Sequence, residues 1–417
     1  MSNLKIDTTE ESVNAFFDHK LDKVYPTEKA LREALKSGKQ LKFYMGADVT
    51  APRLHIGHII PFLKMSRLQK MGHQIIFLIG DFTGKIGDPT DKSAARRKLT
   101  DAEVQTNSAS FVAQIKNIFD FDSEDNAPLI KYNSTWNSAL DFSDVIELAS
   151  NFTVQQMIER DMFQKRLKEG KPIYLHEFLY PLIQGYDSVA MEVDGEFGGS
   201  DQTFNMLAGR TLMKGLKNKE KFVITTNLLL SNDGVNKMSK SVGNCIFLTD
   251  SANDKFGKIM SIPDNLIVHY YELLSDFSED QLSEIRKRLE NGDNPMELKK
   301  QLGQLVVTLL DGNEKAKEAQ EHFEKTVQNK EIPEDLPTIK REHLITELAR
   351  LGDINETTAK EVLTASGMTT SNGEAKRLIG EGAVEFNGEK VTNPNLVIEV
   401  SSLYLIKSGK RKWLKIS

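Results

Sequence analysis

Tyr44-Met-Gly-Ala-Asp-Val-Thr-Ala-Pro-Arg-Leu-His-Ile-Gly-His58 is the stretch whose reading decides the fold. The apolar run Leu41 to Tyr44 leads into it and reads as a short strand. Behind it, Ile59-Ile-Pro-Phe-Leu-Lys-Met-Ser-Arg-Leu-Gln-Lys-Met71 reads as a helix closed by Gly72. A strand, a glycine-containing turn and a helix N-terminus form the layout that receives phosphate. Unpaired N–H groups and the helix dipole both favour an anion there. His55 and His58 add donors that can follow a phosphate as its charge moves, and the glycine between them lets a flat ring approach the backbone. Taken alone, His-Ile-Gly-His also fits local capping of the helix.

Working outward, Gln74-Ile-Ile-Phe-Leu-Ile79 reads as a second strand. Two strands joined by a helix make a βαβ unit, so the strands are expected to be parallel with a right-handed crossover. Ligands of such sheets sit at the carboxyl ends of the strands. The next loop runs there, from Gly80 to Lys98, with three glycines, an Asp-Pro and a cluster of cations suited to phosphate. A plain surface loop would not need that cluster. Helices are expected to dominate from about 99 to 190, with amphipathic runs at 111–119 and 145–166. Within them Tyr180, Gln184 and Asp187 fall on one helical face. Phe197-Gly-Gly-Ser-Asp-Gln-Thr-Phe-Asn205 repeats the strand, glycine turn and helix plan, with Asp201 suited to ribose hydroxyls.

Toward the N-terminus, residues up to about 40 read as helical, with a helix over 28–36 after Pro26-Thr27. Beyond about 250 the pattern is helical with clear caps: Ser278-Glu-Asp-Gln281 fits a capping box, and Asn294-Pro295 an N-cap followed by proline. A linker is expected over 331–337. The last 75 or so residues begin with a helix over 344–351 and a polar, poorly patterned segment. Then come a helix over 374–379 and a hairpin turning at Asn387-Gly388. Trp413 and Leu414 favour a closing strand, with a basic face from Lys407, Lys410, Arg411, Lys412 and Lys415.

The bulk numbers bound the class. At 417 residues the chain is expected to hold two or three domains. Charged residues make up 27% and hydrophobic ones 39%, and no apolar run is long enough to cross a bilayer. The first residues lack the basic-then-apolar order of a secretion signal. The single cysteine, Cys245, excludes an internal disulfide and a multi-cysteine zinc site. A cytoplasmic location is the expectation. A net charge of -6 argues against indiscriminate nucleic-acid binding and leaves room for a local basic patch.

Far downstream, after the apolar run 222–230 and the turn Ser231-Asn-Asp-Gly234, comes Lys237-Met-Ser-Lys-Ser241. Paired with His-Ile-Gly-His, it resembles the two signature motifs of class I aminoacyl-tRNA synthetases, which activate an amino acid with ATP. With the segments 83–96, 180–187 and 198–202 added, the chain from about residue 40 onward resembles the bacterial tyrosyl-tRNA synthetases. Its ending is similar to a small RNA-binding domain named after a ribosomal small-subunit protein. The resemblance implies an α/β architecture. A Rossmann-like parallel-sheet catalytic domain with a helical dimerisation insertion would span 1–250. An all-α anticodon-binding domain would span 251–335, and a small α+β RNA-binding domain 343–417. It also implies L-tyrosine, ATP with Mg2+, tRNA(Tyr) and a second copy of the chain as partners, and no membrane.

The same resemblance implies the site. Tyr44 and Asp187 would take the phenolic hydroxyl of tyrosine. Asp88, Tyr180 and Gln184 would hold its ammonium, and Gln202 would lie near its carboxylate. Thr50, His55, His58, Lys237 and Lys240 would surround the phosphates, with Met238 and Ser239 in the same ATP-binding motif. Lys92 and Arg96 would close on pyrophosphate. Asp48 and Asp201, with the Gly46 and Gly199 backbones, would enclose the nucleoside. No dedicated metal-ligand set is expected. The attacking carboxylate is already ionised, so catalysis would come from positioning and charge stabilisation. The chain departs from the family's frequent pattern at Val49, Glu196 and Thr203, where proline, glutamine and tryptophan are common. Tryptophanyl synthetases and a catalytically inactive RNA-binding relative are the competing readings. Tyr44 and Asp187 favour tyrosine over tryptophan, and His55, His58, Lys237 and Lys240 favour catalysis.

Overall fold

The computed structural model describes residues 5–17, 20–48, 53–87, 100–238, 245–328, 336–350, 354–409 and 412–417. The chain divides into two compact units, Met1–Ala316 and Lys317–Ser417.

The first unit is built on a six-stranded sheet: β1 (Leu21–Tyr25), β2 (Lys42–Ala47), β3 (Gln74–Ile79), β4 (Leu129–Tyr132), β5 (Gly195–Gly199) and β6 (Phe222–Thr226). The spatial order is β1-β6-β5-β2-β3-β4. Strands β2 to β6 are parallel, as the βαβ reading requires, and β1 joins the edge antiparallel to β6. From β2 the chain winds through β3 and β4 to one side, then through β5 and β6 to the other. Strand β2 therefore lies at the switch point, where the crevice outside the strand ends receives ligands.

Local chemistry explains these elements. Strand β3 is buried from Ile75 to Ile79, as a central parallel strand covered on both faces must be. The helix Ile59–Lys70 buries Ile59, Ile60, Phe62, Met65 and Leu68, and the chain turns away at Gly72, whose φ is 95°. Gly195 in β5 has no room for a side chain: a Cβ would come within 2.6 Å of the Phe43 ring. The helix Leu175–Met191 packs closely on the helix Thr203–Lys217, with Gly185 opposite Gly209 at the crossing.

Two expectations in this unit are corrected. Residues before 40 are not all helical: Leu21–Tyr25 is an edge strand, whose short, charged Leu-Asp-Lys-Val-Tyr carries no legible period until β6 lies beside it. The run 145–166 is not continuous. It forms parts of three helices, Phe142–Ala149, Val154–Ile158 and Asp161–Lys168, the first two opened by capping boxes at Asp141 and Thr153. Those caps interrupt the helix before its apolar period breaks.

The helices Ala252–Ile259, Ile267–Leu274, Glu279–Glu290 and Pro295–Asp311 follow, with the expected capping box at Ser278 and cap at Asn294. Ile259, Tyr270, Leu298 and Val306 join Ile59, Phe62 and Phe77 in one hydrophobic core.

The second unit carries a five-stranded sheet of β7 (Thr338–Ile339), β8 (Val384–Phe386), β9 (Glu389–Lys390), β10 (Leu405–Ser408) and β11 (Lys412–Ile416), ordered β7-β11-β10-β8-β9. The β8–β9 turn sits at Asn387 (φ 53°) and Gly388 (φ 88°), the two left-handed positions a tight hairpin requires. The segment read as poorly patterned contains a helix, Ala359–Ala365, that buries Ala359, Val362 and Leu363. It is too short for its apolar period to stand out. The 331–337 linker lies largely outside the described residues. Among the described residues no helix is long and apolar enough to cross a membrane.

Candidate active site

The first motif is joined through its backbone to the chain that follows the second. Ile56 N donates to Ile246 O at 3.0 Å and Leu248 N to Leu54 O at 2.9 Å, so the first motif is zipped to the residues just past the second. His55 caps the short turn Ile56–His58; its N–H donates to His58 Nδ1 at 3.1 Å, and the two rings lie 3.8 Å apart. The capping reading of these histidines is thus correct as far as it goes, and it holds both rings beside the helix N-terminus.

The second motif leaves a hairpin in which Met238 N donates to Leu229 O at 2.7 Å. Asp233 organises its tip, accepting from Asn236 Nδ2 (2.7 Å), Val235 N (2.9 Å), Asn236 N (2.8 Å) and Ser231 Oγ (2.8 Å). These donors, the Asn236 side chain foremost, hold its carboxyl well below the usual range. The rigid tip delivers Lys237, whose Nζ donates to Asp201 Oδ2 at 2.7 Å. At Gly199 beside it, a Cβ would fall 2.5 Å from Asp201 Oδ1, so a side chain there would displace the carboxylate that Lys237 pairs with. At Gly46 nothing lies within 4 Å of where a Cβ would stand, which leaves the backbone open to a flat ring.

Asp48 is held from two sides, by Thr83 Oγ1 at 2.7 Å and by the Tyr180 hydroxyl at 2.9 Å. Gly80 makes this possible, since a Cβ there would lie 2.0 Å from Asp48 Oδ1. Asn133 Nδ2 donates both to Thr83 Oγ1 (3.0 Å) and to Asp187 Oδ2 (3.2 Å). It therefore links the Asp48 end of the site to the Asp187 end.

Deeper in, Asp187 is 2% exposed and accepts from Trp136 Nε1 at 2.7 Å and Asn137 Nδ2 at 2.9 Å as well. Burial pushes its carboxyl up to about 7 while the three donors, Trp136 first, pull the other way. The Tyr44 hydroxyl, fully buried on β2, shares a hydrogen bond of 2.9 Å with Ser188 Oγ. Burial and the neighbouring Glu196 and Asp187 carboxylates push it well above the usual phenol range. Lys221 donates to Ser188 Oγ at 2.8 Å and forms a very short ion pair with Glu196. Gln184 Nε2 donates to the other Glu196 oxygen at 3.2 Å. Gln202 lies at the mouth, its Oε1 accepting from Asn205 at 3.0 Å.

The described residues of the expected site therefore fall into two clusters. His55, His58, Lys237, Met238, Gly46, Asp48, Gly199, Asp201 and Gln202 belong to the two motifs and the glycine turns, with Asp48 bonded to Tyr180, whereas Tyr44, Tyr180, Gln184 and Asp187 line the interior. Thr50, Asp88, Lys92, Arg96, Ser239 and Lys240 lie outside the described residues. Sequence reasoning missed Thr83, Asn133, Trp136, Asn137, Ser188 and Lys221. A carboxylate such as Glu196 in a strand buried on both faces calls for a cation, but nothing in the sequence singles out Lys221 as that cation. Among the described residues no cluster of three or more His, Cys, Asp or Glu is placed to hold a metal ion.

The family described as tRNA synthetases class I (W and Y) matches residues 36–328. The tyrosine–tRNA ligase of Geobacter sulfurreducens is 43% identical over 391 residues, covering 94% of each chain. That of Moorella thermoacetica is 41% identical over 389 residues, 93% of this chain and 90% of its own. In fold, a C-terminally truncated mitochondrial tyrosyl-tRNA synthetase of Coccidioides posadasii matches at a TM-score of 0.61 and 23% identity, over 75% of this chain and 92% of its own. The tyrosyl-tRNA synthetase of Archaeoglobus fulgidus, complexed with L-tyrosine, matches at 0.57 and 20% identity, over 75% of this chain and 100% of its own.

Proposed function

The chain belongs to the class I tRNA synthetases of the tryptophan and tyrosine type, and on that premise we infer that it is a tyrosine–tRNA ligase. The observation that carries this reading is near-complete coverage by tyrosine–tRNA ligases at above 40% identity. The buried pair Tyr44 and Asp187 supports it, because a donor and an acceptor without access to water suit a substrate hydroxyl and penalise an apolar ring.

In the first step the tyrosine carboxylate attacks the α-phosphorus of ATP. The bond from that phosphorus to the bridging oxygen breaks, and pyrophosphate leaves. The nucleophile arrives ionised, so no general base is called for. The phenol end binds between Tyr44 and Asp187, the ammonium faces Gln184, Tyr180 and Asp88, and the carboxylate lies toward Gln202. Asp48 and Asp201 enclose the nucleoside against Gly46 and Gly199.

Thr50, His55, His58, Lys237 and Lys240, with Met238 and Ser239 in the same loop, stabilise the charge that builds on the phosphates. Lys92 and Arg96 close on pyrophosphate. The Lys237–Asp201 pair is half exposed on both sides and so of little intrinsic worth, which leaves Lys237 ready to exchange Asp201 for a phosphate oxygen. In the second step a terminal ribose hydroxyl of tRNA(Tyr) attacks the tyrosyl carbonyl and AMP leaves. Magnesium enters as part of the ATP substrate. The described carboxylates nearest the motifs, Asp48 and Asp201, are already engaged by Thr83, Tyr180 and Lys237.

The working form is a homodimer. Phe142, Val154 and Leu175 are 80%, 69% and 81% exposed on the helices Phe142–Ala149, Val154–Ile158 and Leu175–Met191 of the insertion, large apolar side chains that a second copy would cover. The helices over 251–335 bind the anticodon stem, and the unit around β11 binds RNA through its basic residues. The cytoplasm, where the substrates are, is the proposed location. Amino-acid-dependent ATP–pyrophosphate exchange tests the reading: exchange with tyrosine, and not with phenylalanine or tryptophan, is expected. Exchange with tryptophan would assign the chain to the sister specificity.

A further inference from the structure

We propose that Lys221 is a positioning residue for tyrosine recognition, which orients Tyr44 through Ser188 and Gln184 through Glu196 from beneath the pocket. The proposal rests on the ligase reading and adds a specificity device to it.

Lys221 stands just before β6 and is completely buried. An ammonium has three hydrogens and no acceptor. All three are used: on Ser188 Oγ at 2.8 Å, on Met206 O at 3.2 Å, and on Glu196 Oε2 in the very short ion pair. Its Nζ sits 5.5 Å from the centre of the Tyr44 ring. The surrounding backbone makes room for it. A Cβ on Gly209 would fall 2.6 Å from Lys221 Nζ and 2.8 Å from Ser188 Oγ.

Stability alone does not account for such a pair. Two charges taken out of water recover their desolvation only with near-ideal geometry, and apolar replacements of buried pairs are often neutral or better. What the pair supplies is direction. Because Nζ only donates, it fixes Ser188 Oγ as an acceptor on that side and sets where the Tyr44 hydroxyl can rest. Glu196, paired with Lys221 through Oε2, accepts the Gln184 amide N–H on Oε1 at 3.2 Å. That bond turns the amide so that its oxygen is the group left for a cation. One ammonium thereby sets the polarity of two residues that meet opposite ends of the same substrate, the phenol and the α-ammonium. Neither Lys221 nor Glu196 needs to touch tyrosine for this.

The test is the charge-balanced double variant Lys221→Met with Glu196→Gln, which removes the ion pair without leaving an unpaired charge. Pyrophosphate exchange is measured with tyrosine and phenylalanine, alongside thermal unfolding. The expected result is a melting temperature near that of the parent, a KM for tyrosine raised about tenfold or more, and a reduced preference over phenylalanine. KM for ATP and kcat should change little. Parent-like KM and preference in the folded double variant would overturn the proposal and leave the pair a structural filler.

Ser188→Ala keeps the ion pair and cuts only the Tyr44 arm, so it decides the matter if the double variant does not fold. A tyrosine KM raised with ATP KM unchanged is expected there, and an unchanged tyrosine KM would sink the idea. Absence of tyrosine-dependent exchange in the parent protein would instead overturn the ligase reading, before any variant is compared.

Discussion

At Asp187, burial lifts the carboxyl to about 7, although Trp136, Asn133 and Asn137 all donate to it. A phenol O–H bonds an ionised carboxylate more strongly than a protonated one, so kcat/KM for tyrosine should rise with pH through about 7 and then level off. Stability runs the opposite way. The folded carboxyl holds a proton that the unfolded one has lost from about pH 4 upward, so the favourable contribution of the protonated form disappears as pH rises through about 7. Asp187→Asn should lose tyrosine-dependent exchange about a hundredfold and flatten that limb, the size expected for removing a buried charged acceptor. A pH profile of exchange with the parent and the variant checks this, and a parent profile already flat across neutrality would refute it.

Tyr180, Gln184 and Asp187 can be grouped from the sequence because they share one turn-spaced helical face, whereas Tyr44 enters the expected site through the family resemblance alone. Ser188 and Lys221 were not legible in the sequence. The link from Lys221 to Glu196 spans 25 residues, and in Lys-Asn-Lys-Glu-Lys a buried lysine looks like its solvated neighbours.

Among the elements, the crossing of Leu175–Met191 and Thr203–Lys217 is the joint on which the pocket depends. Gly209→Ala would gain about 1 kcal/mol of helix propensity. Its methyl group, however, would press on Lys221 Nζ and Ser188 Oγ. A net loss of about 1–3 kcal/mol is expected from overpacking, read as a lower melting temperature together with a raised tyrosine KM. A variant that melts higher and binds tyrosine normally would show that the close approach is not needed.

The insertion helices give a second prediction at this scale. Phe142→Glu should convert the proposed dimer to monomer in sedimentation equilibrium, because Phe142 is a large apolar side chain 80% exposed in the single chain. A parent protein that sediments as a monomer would remove the dimer from the reading. Strands β2 and β3 could be read from their apolar runs, since central parallel strands advertise themselves, whereas β5, Gly-Glu-Phe-Gly-Gly, shows only through the glycine turn that follows it. Strand β1 and the helix Ala359–Ala365 could not be read, because each is short and becomes apolar on one face only relative to a neighbour supplied by distant sequence.

For the whole molecule, the division into two units separates two hydrophobic cores. The core around Ile59, Phe77 and Leu298 and the core around Leu344, Val362 and Ile406 share no residue. The match to the synthetase family ends at residue 328. A chain cut after Gln328 keeps the whole helix Asn313–Phe323 and everything that contributes to the first core. Every residue proposed for adenylate formation lies before position 250, so the shortened chain should exchange pyrophosphate within about twofold of the parent, well under the tenfold that 1.36 kcal/mol would make.

Charging of tRNA should respond differently. The removed part carries Lys412 and Lys415 on β11, and cations that neutralise phosphates release counterions on binding. The full chain should therefore lose charging efficiency steeply as salt rises, and the shortened chain should charge poorly at low salt with a shallower slope. Equal salt slopes for the two chains would mean that the second unit does not contact the RNA backbone. A loss of pyrophosphate exchange in a folded shortened chain would mean instead that the first unit does not hold a complete site.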